Sequence, residues 1–389
     1  MRETSRRQLL KGIGGIGAGV AVGAVGGGAA LANATAVRRV DGKPPGSVLW
    51  RAQAGTATQM AFLDIVAGYG MVYACNAPAS GATLVCAFDA DTGARAWQLN
   101  SDLYQLAAAG PGAVFLGVTV PGSGFTAAVG VVALGAANGG TLWSFNSGQP
   151  NASISYSDGM VITNSYGSVT ALDARTGRLA WGSGPDSYVP TVLAEGGTVY
   201  AAGYTSGNGG MPAPWQFFAM NISTGAARWR FTGFSGELSG LAAGDGVVCG
   251  SQWPATQPPS TFALDASDGR RLWRASSDTA VEVINGGCVI STDFGAQTGG
   301  SPTRLYARHL SSGASVWHRT LGKNVQLMTS DGSVLYVGGG KDNLITALAA
   351  GTGKELWAGR LSAPAYAAAV TGGVLYVIDA NATVSAIQA

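Results

Sequence analysis

After residue 45 the chain alternates short apolar runs with glycine-containing turns. The runs stand at Met71-Val72-Tyr73, Ala113-Val114-Phe115, Met160-Val161-Ile162, Thr198-Val199-Tyr200, Val247-Val248-Cys249, Cys288-Val289-Ile290, Val334-Leu335-Tyr336 and Val374-Leu375-Tyr376. Each is too short for a core helix and rich in β-branched or aromatic residues, which fit the pleated surface of a strand. A further apolar run follows each, and in several repeats it ends in a polar turn such as Asp173-Ala174-Arg175-Thr176-Gly177 before Trp181. Asp in such a turn binds local backbone amides, and Gly accepts positive φ. No amphipathic helical pattern of useful length appears after residue 50. The pattern predicts an all-β chain of short antiparallel strands.

The strands recur in a fixed phase. Gly-x-x-x-Trp ends at Trp50, Trp97, Trp143, Trp181, Trp229, Trp273, Trp317 and Trp357, at intervals of 47, 46, 38, 48, 44, 44 and 40 residues. That spacing suits one four-stranded propeller blade per repeat. Ten residues before each tryptophan but the first stands an alanine: Ala87, Ala133, Ala171, Ala219, Ala263, Ala307 and Ala347. A small residue leaves room for a flat indole, a large apolar body with one donor to satisfy.

The composite Ala-x-Asp-x-x-Thr-Gly-x-x-x-Trp resembles the pyrroloquinoline-quinone (PQQ)-like repeat of β-propellers. The resemblance implies that each ring docks between the motif's Ala and the Gly peptide of a neighbouring blade. The chain ends Val384-Ser385-Ala386-Ile387-Gln388-Ala389, with the motif's Ala but no Gly or Trp, while Gly46-Ser47-Val48-Leu49-Trp50 supplies the missing half. The expectation is an eight-bladed propeller over residues 46–389, whose last blade takes its outer strand from the N-terminal side. Seven blades plus an irregular unit, and an open solenoid, are the competing architectures. A solenoid calls for capping ends rather than complementary half-motifs.

Residues 1–34 read as an export signal and 35–45 as a linker. Ser5-Arg6-Arg7-Gln8-Leu9-Leu10-Lys11 resembles the twin-arginine translocation motif, followed by a Gly/Ala-rich stretch and the small-x-small site Ala32-Asn33-Ala34. An uncleaved anchor is the alternative, since about 20 apolar residues span a bilayer. Gly12-Ile13-Gly14-Gly15-Ile16-Gly17 matches a dinucleotide fingerprint but lacks the strand that motif needs before it.

Charge is informative once the signal is set aside. The chain carries 23 basic and 21 acidic residues, but Arg2, Arg6, Arg7, Lys11 and Glu3 all fall in 1–34, which leaves a mature charge near −1. No clustered basic surface remains to bind nucleic acid. The 61 Gly, 10 Trp and 11% charged residues agree with an all-β chain of many tight turns.

Chemistry is expected where the repeat is broken. The connections 118–127, 204–216, 251–261 and 293–303 join second to third strands, so all emerge on one face of a propeller. They carry Phe125, Tyr204, Met211, Trp215, Trp253 and Phe294, candidate binding-face aromatics whose alternative role is to pack their own loops. Asp102, Tyr104, Asn151, Asp186, Tyr188, Glu237, Asp278, Glu282, Lys323 and Asn324 fall on or before the first strands, which line the channel. Convergent carboxylates there hold Ca²⁺ or are simply solvated. His309 takes the place of a turn Asp, and His318 follows Trp317; neither has an evident acid or nucleophile partner for a hydrolytic triad. Cys75 and Cys86 flank a hairpin, so a cross-strand disulfide and buried thiols are both open readings. Cys249 and Cys288 stand at offset positions and suit pairing less well.

The repeat resembles that of the outer-membrane-assembly lipoprotein type of propeller, eight-bladed and without cofactor. This implies a non-catalytic binding or scaffold protein that is periplasmic, cell-surface or secreted. Its partners are an envelope protein, a glycan or a small-molecule ligand, and it is expected to be monomeric with no integral membrane domain after signal cleavage. The alternative resemblance is to quinoprotein alcohol or sugar dehydrogenases, with PQQ and Ca²⁺ at the axis. Against it, the chain lacks an adjacent Cys-Cys pair, a haem motif and the large blade insertions of those enzymes. No catalytic, cofactor or metal residue is assigned.

Overall fold

The computed structural model describes residues 42–55, 60–78, 83–101, 104–119, 128–165, 168–183, 187–206, 212–234, 236–254, 259–276, 279–293, 302–323, 325–339 and 342–389. Thirty-one strands and no helix occur among them. They form eight antiparallel blades in a propeller. Blades 2 and 3 share one long strand, Thr141–Ser157, which is the outer strand of one and the inner strand of the next. The remaining blades are separate four-stranded sheets.

The inner strands of blades 1 to 8 are Met60–Gly68, Tyr104–Gly110, the second half of Thr141–Ser157, Ser187–Glu195, Gly236–Gly244, Thr279–Asn285, Val325–Asp331 and Ala365–Thr371. Neighbouring blades meet chiefly through these strands. Each blade is apolar on both faces, because each face packs on a neighbour. In Pro212–Asn221 of blade 4, Phe217 and Ala219 belong to the cluster shared with blade 5, and Phe218 and Met220 to that shared with blade 3. Alternation thus feeds two cores from one strand.

The eight tryptophans hold the blades together. Each stands directly opposite its motif alanine across the third and fourth strands, from Ala87 with Trp97 to Ala347 with Trp357. The indole then reaches the next blade. Its Nε1–H donates to the carbonyl after the turn residue: Trp97 to Ala136 at 2.7 Å, Trp143 to Ala174 at 2.9 Å, Trp181 to Ile222 at 2.7 Å and Trp273 to Leu310 at 2.7 Å. Each ring lies against the motif glycine of that blade. A Cβ on Gly177 would stand 2.5 Å from Trp143, and Gly177 has φ +68°. A buried Trp removes about 150–250 Å² from water, roughly 4–6 kcal/mol gross at 25 cal/mol per Å².

The turn chemistry serves the same end. Asp89 Oδ1 accepts from Thr92 N at 2.8 Å and Oγ1 at 2.7 Å, and Asp173 makes the same pair with Thr176. These bonds hold both carboxyls below the usual range, the threonine hydroxyl contributing most.

The ring closes as the half-motifs require. Val48–Gln53 pairs antiparallel with Thr383–Gln388, with Trp50 opposite Ala386. Trp50 Nε1 donates to Ala90 of blade 1 at 3.0 Å, and Trp357 of blade 7 packs on Gly46.

One cysteine reading is corrected. Cys75 faces Val85 across the hairpin, and Cys86 faces Ala74. A one-residue offset puts the two thiols on opposite faces of the sheet. Cys75 packs toward blade 2 and Cys86 toward blade 8, so no disulfide joins them. Cys249 and Cys288 are not disulfide-bonded either.

Residues 1–41, with the signal and most of the linker, lie outside the described residues. Among those described, no helix is long and apolar enough to cross a membrane.

Candidate functional site

The second-to-third-strand hairpins share one end of the blades, and the nominated aromatics among the described residues, Tyr204, Trp215 and Trp253, lie on two adjacent ones. In blade 4, Thr198–Ser206 and Pro212–Asn221 pair so that Tyr204 stands opposite Trp215. Their ring centroids are 5.2 Å apart at 59°. The connection is shorter than its Pro and Gly content suggests, because both strands extend to within six residues of each other. Trp215 is half-buried and leans on the cluster of Phe217, Phe234, Leu238 and Phe262 between blades 4 and 5. It therefore both shapes the surface and packs the core.

In blade 5, Trp253 stands opposite Glu237 across Val247–Pro254 and Gly236–Gly244. Trp253 is half-buried, while Glu237 remains partly in solvent. Burial of the rest pushes the Glu237 carboxyl up from its ordinary value. Phe125, Met211 and Phe294 lie outside the described residues.

Three carboxyl groups lie on the inner strands behind this mouth. Glu282 occupies a β-bulge between Val281 and Val283, a device that re-aims a side chain. It accepts a short hydrogen bond from Thr292 Oγ1, and burial pushes it up. Glu237 is the second. The third, Asp64, was not singled out in the sequence, although a charge inside Met60–Gly68 was its signal. Asp64 is 8% exposed, and its Oδ1 accepts from Ile65 N at 2.8 Å. Burial outweighs that bond and pushes its pKa up to about 7. Tyr366, on the bulge of blade 8, is raised by burial and by the charge of Asp64.

The other nominated polar residues are placed by their strands alone. Tyr104, Asn151 and Tyr188 occupy inner strands, and Lys323 ends the outer strand Ser315–Lys323. Asp102, Asp186, Asp278 and Asn324 lie outside the described residues. At the far end of the inner strands, Glu195 is raised to about 7 by burial and by Asp158. Asp158 is held by Ser157 Oγ at 2.9 Å and Gly197 N at 3.1 Å.

The donor set bears on the cofactor of the alternative resemblance. Among the described residues, no three His, Cys, Asp or Glu side chains come together to hold a metal ion. The inner strands carry Asp64, Glu195, Glu237, Glu282 and Asp331 but no Lys or Arg. PQQ is a tricarboxylate, and carboxylates are recognised by cations, Arg above all. The described inner strands thus offer acids and no cation to it, a donor set that does not fit the group.

Residues 127–282, 167–329 and 301–389 match the family model described as outer membrane protein assembly factor BamB. A search of curated proteins found no match. Among solved structures, BamB from Moraxella catarrhalis is 18% identical, with a TM-score of 0.62 over 88% of this chain and 99% of that one. The computationally designed Ika8 protein is 14% identical, with a TM-score of 0.64 over 89% and 100%. Quinohemoprotein alcohol dehydrogenase from Comamonas testosteroni is 14% identical, with a TM-score of 0.57 over 88% and 76%. At these identities the structures share the propeller fold.

Proposed function

The chain belongs to the family described as outer membrane protein assembly factor BamB, and from that premise we propose that it is a non-catalytic binding propeller of the cell envelope. It is exported through the twin-arginine motif at Arg6 and Arg7 and acts as a rigid ring that presents one face to a partner. The binding face is the hairpin end carrying Tyr204, Trp215 and Trp253, with Glu237 beside them. Half-buried aromatics on a rigid scaffold combine a large contact area with little entropy to lose. The partner is an envelope protein, a glycan or a small ligand.

The observation that carries this reading is the sign of the channel wall. Five acidic residues and no basic ones stand on the inner strands, which supports a propeller working through its face rather than through a quinone at its axis. The dehydrogenase structures share the propeller fold with this chain, whose described inner strands carry no cationic donor.

The test is site-specific photo-crosslinking in the native host, with the crosslinker at position 253 or at Ser267 on the opposite end. The reading expects a discrete adduct from 253 that is absent from 267. Equal adducts from both positions, or none from 253, count against it.

A further inference from the structure

A cavity of about 480 Å³ opens at the opposite end of the blades from the aromatics, where blades 5, 6 and 7 meet. Its wall includes Asp245, Gly287, Cys288, His309 and Ser311. Cys288 and His309 are direct partners across Cys288–Asp293 and Pro302–His309. Directly opposed residues share a face and hold their Cβ atoms about 4.5–5.5 Å apart.

The internal repeat shows how unusual this pair is. The place of Cys288 is taken in other blades by Met71, Ala113, Met160, Thr198, Val247, Val334 and Val374, none of them ionisable. The place of His309 is taken by Asp89, Asp173 and Asp265 in three blades and by Asn221 in a fourth. All three carboxylates turn back into their own turns, onto Thr92, Thr176 and Ser267. His309 keeps that habit with one nitrogen only. Its Nδ1 lies 3.1 Å from Ser311 Oγ, and Nε2 has no protein partner among the described residues.

The four thiols differ. Cys75, Cys86 and Cys249 are fully buried, whereas Cys288 is 4% exposed and lines the cavity. One thiol and one imidazole therefore share a cavity wall.

The geometry assigns to Cys288 and His309 a two-ligand site for a soft monovalent metal ion of the Cu(I) class. A metal held by sulfur and nitrogen bonds of about 2.3 and 2.0 Å spans roughly 4 Å, a reach available to side chains whose Cβ atoms stand about 4.5–5.5 Å apart, and thiolate with imidazole suits Cu(I). Ions that require three or more protein donors are not served, since no such group occurs among the described residues. Binding replaces the S–H bond of Cys288 by an S–Cu bond and releases its proton to solvent, with no change of oxidation state.

The experiment titrates the purified chain anaerobically with Cu(I) supplied as its bicinchoninate complex and reads transfer from the coloured chelator. Two variants are compared, Cys288→Val and His309→Asp. Both install residues the ring already uses at these places, in Val247 and Asp265, so the fold is retained, and thermal melts check it. The site predicts one equivalent bound, about one proton released, and at least a tenfold loss of affinity in each variant. Uptake unchanged in either variant, or a wild-type affinity no better than that of glutathione, overturns it. Loss in Cys288→Val with full retention in His309→Asp also overturns it, since a lone thiol then suffices.

Discussion

Replacing Gly177 by Ala isolates the energy of one tryptophan dock. The new Cβ would stand 2.5 Å from Trp143 Cδ2 and 2.7 Å from Cε3, so the indole must move. Three costs follow. A non-glycine residue at φ +68° costs about 1–2 kcal/mol. Loss of the Trp143 Nε1 bond to Ala174 O, 2.9 Å long, costs about 1 kcal/mol. Lost contact of the displaced ring adds roughly 1–3 kcal/mol. The sum is about 3–6 kcal/mol. Gly159→Ala in the same blade is the control. Gly159 has φ +76°, but nothing lies within 4 Å of its Cβ position, so only the backbone cost of about 1–2 kcal/mol applies. Urea unfolding followed by tryptophan fluorescence and far-ultraviolet circular dichroism measures both variants. Gly177→Ala should be the less stable by about 2–4 kcal/mol, the sum of the hydrogen-bond and packing costs. Equal destabilisation would refute the docking argument, because strain alone would then explain both.

Further tests address other levels of the account. Asp64 has a folded pKa near 7 against the usual 3.8, so the folded state holds a proton the unfolded chain has lost. Its contribution is complete below about pH 4 and is lost as pH rises through 7, by at most about 4 kcal/mol; Asp64→Asn should flatten that part of the stability–pH profile, and an unchanged slope would contradict the burial argument. Thiol titration in denaturant without reductant should find four reactive thiols per chain, whereas two would restore a disulfide. Removing residues 1–53 exposes the edge of Thr383–Gln388 and discards Trp50. The truncated chain should unfold at lower urea and associate on size exclusion, as an unpaired edge strand does.

Much of the fold was legible because its period is carried by residues with little freedom to vary. Trp, its opposed Ala and the positive-φ Gly form one interlocking contact, so their spacing disclosed the blade, and the half-motifs at Trp50 and Ala386 disclosed the closure. Properties set by register were less legible. Flanking a hairpin left both a disulfide and free thiols open for Cys75 and Cys86, and one residue of offset sends them to opposite cores. The same register, unknown from spacing, brings His309 onto Cys288, although the sequence showed His309 only as a changed turn residue. The hairpin aromatics were found by exclusion once eight tryptophans had been assigned. Trp215 also packs on the cluster of Phe217 and Phe262, a core role that apolar patterning alone does not separate from a surface one. Asp64 was passed over because a single acid in an apolar run reads as a strand interruption until its burial is seen.

The most direct test of a face-binding, quinone-free propeller is equilibrium dialysis of the purified chain against PQQ and Ca²⁺, with dye-coupled oxidation of alcohols and sugars measured on the same samples. An acidic channel wall without Lys or Arg predicts no stoichiometric PQQ uptake and no dye reduction above buffer. One equivalent of PQQ retained per chain, with substrate-dependent dye reduction, would contradict the account.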